Sequence, residues 1–119
     1  WYQVTTAGNR EGNYLEPSAT ALFVYYYAKA INKGYIGNEY VGMVDKAFDG
    51  MIKEFIREEA DGTYTITDCC AVAGLGGTPC YRDGSFEYYI SEPVIDNDPK
   101  AVGSFILAAI EYEKMNNKK

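Results

Sequence analysis

Hydrophobic residues recur with helical periodicity in three segments of the chain. The first runs from Glu16 to Lys33 and predicts a helix, because Pro17 suits the first helical turn and Gly34 suits a left-handed C-cap. Its apolar residues lie around most of the cylinder, so both sides of the helix should meet protein. They are Leu22, Phe23, Val24, Tyr25, Tyr26, Tyr27, Ala28 and Ile31.

The second segment predicts an amphipathic helix from an Asn38 N-cap to about Glu58. Its apolar positions follow the 3.6-residue period: Val41, Val44, Phe48, Met51, Ile52 and Phe55. Charged residues occupy the other face: Asp45, Lys46, Asp49, Lys53 and Arg57. Because the link over residues 34–37 is short, the first two helices should form an αα-hairpin.

A third helix is predicted from Pro99 to about Glu113, with Asp98 as its N-cap. It is apolar on nearly all faces, through Ala101, Val102, Phe105, Ile106, Leu107, Ala108, Ala109 and Ile110. Two such helices in so short a chain leave apolar surface that needs a partner.

The residues between the helices predict a small amount of β-structure. Thr63–Thr67 alternates as a short strand does, and Cys69–Val72 is a candidate second strand, so the two segments predict a small hairpin or a β-turn patch. Phe86–Ile90 is compatible with a strand or with irregular structure. The pattern therefore predicts one mainly α domain over residues 1–119, with about three helices, a short β-hairpin and a long glycine-rich loop.

Composition excludes several function classes. The net charge is −6, and Lys118–Lys119 is the one pair of adjacent basic residues, so a nucleic-acid partner is not expected. No apolar run is long enough for a membrane span. The chain has no histidine, which removes Ser-His-Asp and Cys-His catalysis and most zinc sites. We expect no metal, no cofactor, and three free, mostly buried thiols at Cys69, Cys70 and Cys80.

A glycine-rich loop over residues 72–85 is the candidate binding element. It contains four glycines and a proline beside Tyr81, Arg82 and Asp83. Loops that present aromatic and charged side chains on a scaffold are frequent ligand-binding sites. The alternative is an irregular connection whose Arg82 and Asp83 are merely solvated.

Several stretches, in this order, closely resemble the C-terminal third of the unsaturated rhamnogalacturonyl hydrolases, which form glycoside hydrolase family 105 and are related to family 88. They are Trp1–Val4, Gly12–Ala21, Ala73–Gly77, Tyr81–Pro93 and Asn97–Lys100. The resemblance covers essentially the whole chain. It implies part of an (α/α)₆ toroid of twelve helices, which needs on the order of 300 residues.

The resemblance also implies an activity. Enzymes of this family remove the unsaturated uronic acid from pectin-derived rhamnogalacturonan oligosaccharides by hydrating its double bond, with an aspartic acid as proton donor. The catalytic aspartates lie upstream of the segment that this chain matches, so no catalytic residue is expected here and the isolated chain should be inactive. The family implies a bacterial cytoplasmic or periplasmic location.

Within that resemblance, four residues of the loop region are candidate substrate contacts. Arg82 would pair with a uronate carboxylate, Tyr81 and Tyr88 would stack on a sugar ring, and Asp83 would hold Arg82 in place. An Arg82–Asp83 pair that only shapes the loop is the alternative for those two residues. Two alternatives remain for the whole chain: a small carbohydrate-binding module, and a helical module that self-associates through its apolar faces.

Overall fold

The computed structural model describes residues 1–117, so Lys118 and Lys119 lie outside the described residues. Four helices and four short strands follow in chain order. They are α1 (Pro17–Lys33), α2 (Val41–Phe55), β1 (Ile56–Glu58), β2 (Tyr64–Ile66), β3 (Cys69–Cys70), α3 (Phe86–Ser91), β4 (Val94–Ile95) and α4 (Pro99–Asn116). None of the described helices is long and apolar enough to cross a membrane.

Both ends of α1 are fixed by the residues that the sequence indicates. Glu16 is the N-cap, and its carboxylate accepts a hydrogen bond from Ala19 N at 3.0 Å. The other carboxylate oxygen accepts from Cys70 N at 3.2 Å, so the same side chain ties β3 to the start of α1. Gly34 ends the helix with φ +71°, as predicted.

The second helix is shorter than predicted at both ends. Asn38 does not cap it, because Asn38–Tyr40 forms a separate 3₁₀ turn and α2 begins at Val41. It ends at Phe55, where Ile56 turns to extended backbone. Residues 56–58, predicted as helix, form β1 instead, since pairing with β2 supplies their backbone hydrogen bonds.

The strands pair differently from the predicted hairpin. Strand β2 lies within the predicted Thr63–Thr67 segment, but its antiparallel partner is β1, with Ile56 opposite Ile66. Strand β3 pairs with β4 instead, with Cys69 opposite Ile95. The predicted short β-hairpin is therefore present, formed by β1 and β2. The pairing of 63–67 with 69–72 is wrong, because each segment pairs with a different part of the chain.

The last third of the chain contains one helix more than expected. Phe86–Ser91, which the pattern left open between strand and irregular structure, is the short helix α3, capped by Ser85 Oγ, which accepts from Tyr88 N. Asp98 caps α4 as predicted, and that helix continues to Asn116.

The core lies between α1, α4 and α2. Fully buried alanines, among them Ala28 on α1 and Ala108 on α4, allow these two helices to pack closely. The larger side chains of Val44 and Met51 pack α2 against the same core. Cys69 extends this core. Cys70 is also buried, but Cys80 is exposed, which corrects the expectation for that thiol.

Apolar stripes remain uncovered on the two most apolar helices. On α1 they comprise Leu22, Phe23 and Tyr26, and on α4 Ile106, Leu107 and Ile110. Within residues 1–117 neither helix is therefore covered on all sides, and the leftover apolar surface predicted from the sequence is present.

Candidate functional site

The glycine-rich loop connects β3 to α3 and is closed on itself by two backbone hydrogen bonds. Gly76 N donates to Arg82 O at 2.8 Å, and Arg82 N donates to Gly76 O at 3.1 Å. Gly76 and Gly77 have φ +68° and +105°, a region that residues with a side chain rarely adopt. These two glycines therefore permit the turn that brings Arg82 back beside Gly76.

The guanidinium of Arg82 lies against the loop backbone. Its Nε donates to Gly76 O at 2.9 Å. A Cβ atom placed on Gly74 would lie 2.9 Å from Arg82 Nη1, and one on Gly77 would lie 3.2 Å from Nη2. Among residues 1–117, no carboxylate lies within ion-pair distance of this guanidinium. The positive charge is therefore held in place without an ionic partner.

Asp83 has a different local role from the one predicted for it. Its carboxylate accepts a hydrogen bond from Ser85 N at 2.9 Å, and this backbone N–H, followed by the Ser85 hydroxyl, lowers the pKa of Asp83. The side chain thus shapes the turn before α3, while the partner that orients Arg82 is the carbonyl of Gly76.

Tyr88 comes to the same point of the loop from α3. Its hydroxyl accepts a hydrogen bond from Gly74 N at 3.2 Å. Burial raises the pKa of Tyr88, a hydrogen bond with Glu92 raises it further, and the nearby charge of Arg82 lowers it. Arg82 and Tyr88 therefore meet at Gly74, and Glu92 lies beside the Tyr88 hydroxyl.

Glu92 is the member of this group that the sequence interpretation did not place in the site. Glu92 directly follows α3 and comes four residues after Tyr88, close to the spacing that brings side chains together on a helix. This spacing indicates a contact only if Phe86–Ile90 is helical, which the sequence pattern alone does not predict.

Tyr81 projects from the tip of the loop and is 77% exposed. A Cβ on Gly76 would lie 3.9 Å from the Tyr81 ring, so the ring stands beside the turn. The structure thus brings Arg82 and Tyr88 together at Gly74 and leaves the Tyr81 ring open to solvent.

The scaffold anchors the loop at both ends. At its start, Lys100 Nζ donates to Ala71 O at 2.8 Å, and Ala71 N donates to Pro93 O at 2.9 Å. At its end, Arg10 pairs with Glu87 and lies over the Phe86 ring, 3.9 Å from the ring centroid. Residues on three separate parts of the chain therefore fix the loop and α3.

A cavity of about 290 Å³ lies away from this loop, between the N-terminal segment and α2. Its lining is mostly apolar and includes Lys46 and Glu54. None of the four predicted contact residues lines it. In the part of the chain that the structure describes, no group of His, Cys, Asp and Glu is arranged to hold a metal ion.

Comparison with known proteins identifies the family of this chain. The family model for Glycosyl Hydrolase Family 88 matches residues 1–116. A solved structure of a family 105 glycoside hydrolase from C. acetobutylicum ATCC 824 is 48% identical, with a TM-score of 0.92 over 95% of this chain and 31% of that one.

Two curated relatives give the same extent of similarity. Protein Atu3128 of Agrobacterium fabrum and a 24.9 kDa protein in the picA locus of Rhizobium radiobacter are each 34% identical over 116 residues. These matches cover 93% of this chain and 50% of each relative, so the chain spans about half the length of the curated relatives it matches. The mainly helical chain, with its capped helices and glycine-rich loop, therefore belongs to glycosyl hydrolase family 88 and its family 105 relatives.

Proposed function

We propose that this chain is part of a glycoside hydrolase that removes the unsaturated uronic acid from rhamnogalacturonan oligosaccharides. In this proposal the glycine-rich loop forms one wall of the substrate cleft. Family membership and the likeness to a family 105 hydrolase support the proposal.

The observation that carries it is the state of Arg82. A guanidinium binds a carboxylate through two parallel N–H donors. When the guanidinium is fixed in place without an anion, these donors remain available to a ligand. Arg82 is fixed through Nε, so Nη1 and Nη2 remain for a ligand. A uronate differs from a neutral sugar by its carboxylate, which is the group that these donors suit.

The neighbouring side chains suit the rest of a sugar. Tyr88 presents a ring beside Arg82, and the exposed ring of Tyr81 offers a second surface on which a pyranose can stack. Asp83 keeps the turn between Arg82 and α3 in shape through Ser85. These three residues stay predicted substrate contacts.

The chemistry of the proposed reaction is hydration. A carboxylic acid protonates the carbon–carbon double bond of the unsaturated uronic acid, water adds to the resulting cation, and the hemiketal collapses to release the shortened oligosaccharide. The acid must lie within hydrogen-bond reach of the reacting carbon. We assign no residue of this chain to that step, and we therefore propose that the isolated chain has no appreciable turnover.

A chimera tests the function. This chain would replace the matching segment of the C. acetobutylicum hydrolase, and loss of the ultraviolet absorbance of an unsaturated rhamnogalacturonan disaccharide would report turnover. We expect activity from the chimera and none from the chain alone. Arg82→Ala should lower kcat/KM by about tenfold or more, because a charge-assisted pair to the uronate is lost.

Arg57→Ala is the matched control, since Arg57 lies outside the loop and pairs with Glu59 and Asp96. A folded chimera that is inactive on the disaccharide, or an Arg82→Ala effect no larger than that of the control, would contradict the proposal. Enzyme-like turnover by the chain alone would contradict the assignment of the proton donor to another part of the protein.

A further inference from the structure

We infer that Gly74 is a positioning residue for Arg82 and sets the orientation in which its guanidinium meets a carboxylate. The inference rests on the proposed function, in which Arg82 binds the uronate. It concerns a residue that contacts no ligand itself and acts by the absence of a side chain.

Two contacts converge on Gly74. Its N–H donates to the Tyr88 hydroxyl at 3.2 Å, and its Cα is covered by the Arg82 guanidinium, so a Cβ would lie 2.9 Å from Nη1 and 3.2 Å from Cζ. The distance of 2.9 Å to Nη1 is shorter than real Cβ atoms show in their contacts. Only glycine at this position leaves room for the guanidinium where it lies while Nε reaches Gly76 O.

The backbone conformation makes Gly74 a clean test position. Gly76, Gly77 and Gly84 have positive φ angles, so a side chain there would strain the backbone. Gly74 is not among the positive-φ glycines, and the atom that a Cβ would meet is the end of a flexible side chain. Gly74→Ala should therefore leave the loop folded and its N–H available to Tyr88, and should displace Arg82 alone.

The experiment combines affinity with a spectroscopic signal. The chain would be titrated with sodium galacturonate, and with galactose as the neutral control, while ¹⁵N NMR follows the Nε–H signal of Arg82. We expect Gly74→Ala to weaken galacturonate binding about fivefold, roughly the effect of one hydrogen bond, and to shift the Arg82 Nε–H signal. Gly103→Ala is the control, because a Cβ there meets nothing within 4 Å.

The Arg82→Lys variant serves as a second background for Gly74→Ala. It separates an effect on the position of Arg82 from a general effect on the loop. Lysine has a single ammonium group and lacks the guanidinium atoms Nη1 and Nη2 of arginine. Gly74→Ala should therefore cause no further loss of affinity when Arg82→Lys is already present. Equal losses in both backgrounds, or an unchanged affinity and an unchanged Arg82 signal, would overturn the inference.

Failure of the proposed function gives a different result. If the parent chain does not bind galacturonate, the loop alone does not hold the uronate, and the effect of Arg82→Ala in the chimera decides the assignment of Arg82. The Nε–H signal then decides the inference: a shift in Gly74→Ala supports Gly74 as the residue that positions Arg82, and no shift refutes it.

Discussion

At the scale of single residues, the positions that the sequence identified best are those whose role is local. Pro17, Gly34 and Asp98 act on backbone groups within a few residues, and the structure confirms each of them. Arg82 and Tyr88 depend on contacts with Gly74 and Gly76 from segments up to fourteen residues away. The sequence predicts that these two side chains belong to the site, but their hydrogen-bond partners are defined only in the folded loop.

Asp98 gives a prediction about acid stability. Its largely buried carboxylate lies 2.7 Å from Lys100 Nζ and accepts from Lys100 N at 2.9 Å. The Lys100 side chain first, and its backbone N–H second, lower the pKa of Asp98 from its ordinary value of 3.8. Because the folded pKa is the lower one, the stabilisation is present above pH 3.8 and is lost as the pH falls through the folded value.

Asp98→Asn is the corresponding variant, since the amide keeps a capping oxygen and does not titrate. We expect it to be less stable than the parent near neutral pH, and the difference in urea midpoint to narrow as the pH falls below 3.8. Urea unfolding at a series of pH values measures this. A difference that stays constant down to strongly acidic pH would contradict the proposed titration.

At the scale of elements, the start of a helix is predictable where the sequence marks it with a proline and a capping residue, and the ends of the other helices are not. Helices α1 and α4 have a proline at the first position and a capping side chain before it. Helix α2 has no proline at its start and no capping side chain. It ends before the predicted Glu58, because Ile56–Glu58 pairs with β2. Helix α3 has six residues, too few for periodicity to show, and depends on Ser85 and on Arg10 from outside the helix.

The C-terminal end of α1 allows a comparison of two glycine substitutions. Gly34 has φ +71° and a Cβ there would meet nothing within 4 Å, so Gly34→Ala should cost only the left-handed conformation, about 1 kcal/mol of the free energy of unfolding. Gly103 in α4 also has open space around it but does not have a positive φ. Gly103→Ala should therefore stabilise the chain by about 0.5–1 kcal/mol.

Urea unfolding of the two variants beside the parent provides the measurement. The two variants should change the free energy of unfolding in opposite directions. Both sites have open space for a Cβ, and they differ in backbone conformation, because only Gly34 has a positive φ. Two variants shifted in the same direction would refute this explanation of how α1 ends.

At the scale of the whole molecule, the sequence predicted a mainly helical chain with uncovered apolar surface, and both features are present. It did not predict how the strands pair. Because β1 and β2 are joined by a short turn whereas β3 and β4 are separated by residues 71–93, the second pairing depends on the route of the whole glycine-rich loop and α3. Local alternation contains no information about such a distant partner.

The uncovered stripes give a prediction for the isolated chain. Each combines residues one helical turn apart, Leu22 with Tyr26 on α1 and Ile106 with Ile110 on α4, so each is a continuous apolar surface. We expect the chain to self-associate through them, with a sedimentation coefficient that rises with concentration. Ile110→Glu should shift the equilibrium toward monomer, because association would bury a charge without a partner.

Ile52→Glu is the control, because Ile52 on α2 and Ile110 are both 44% exposed, and Ile52 belongs to neither stripe. The two substitutions remove a similar exposed apolar area, but only Ile110→Glu should alter self-association. A parent chain that sediments as a monomer at all concentrations would refute self-association. Equal effects of the two substitutions would mean that association is driven by apolar surface in general and not by the stripes on α1 and α4.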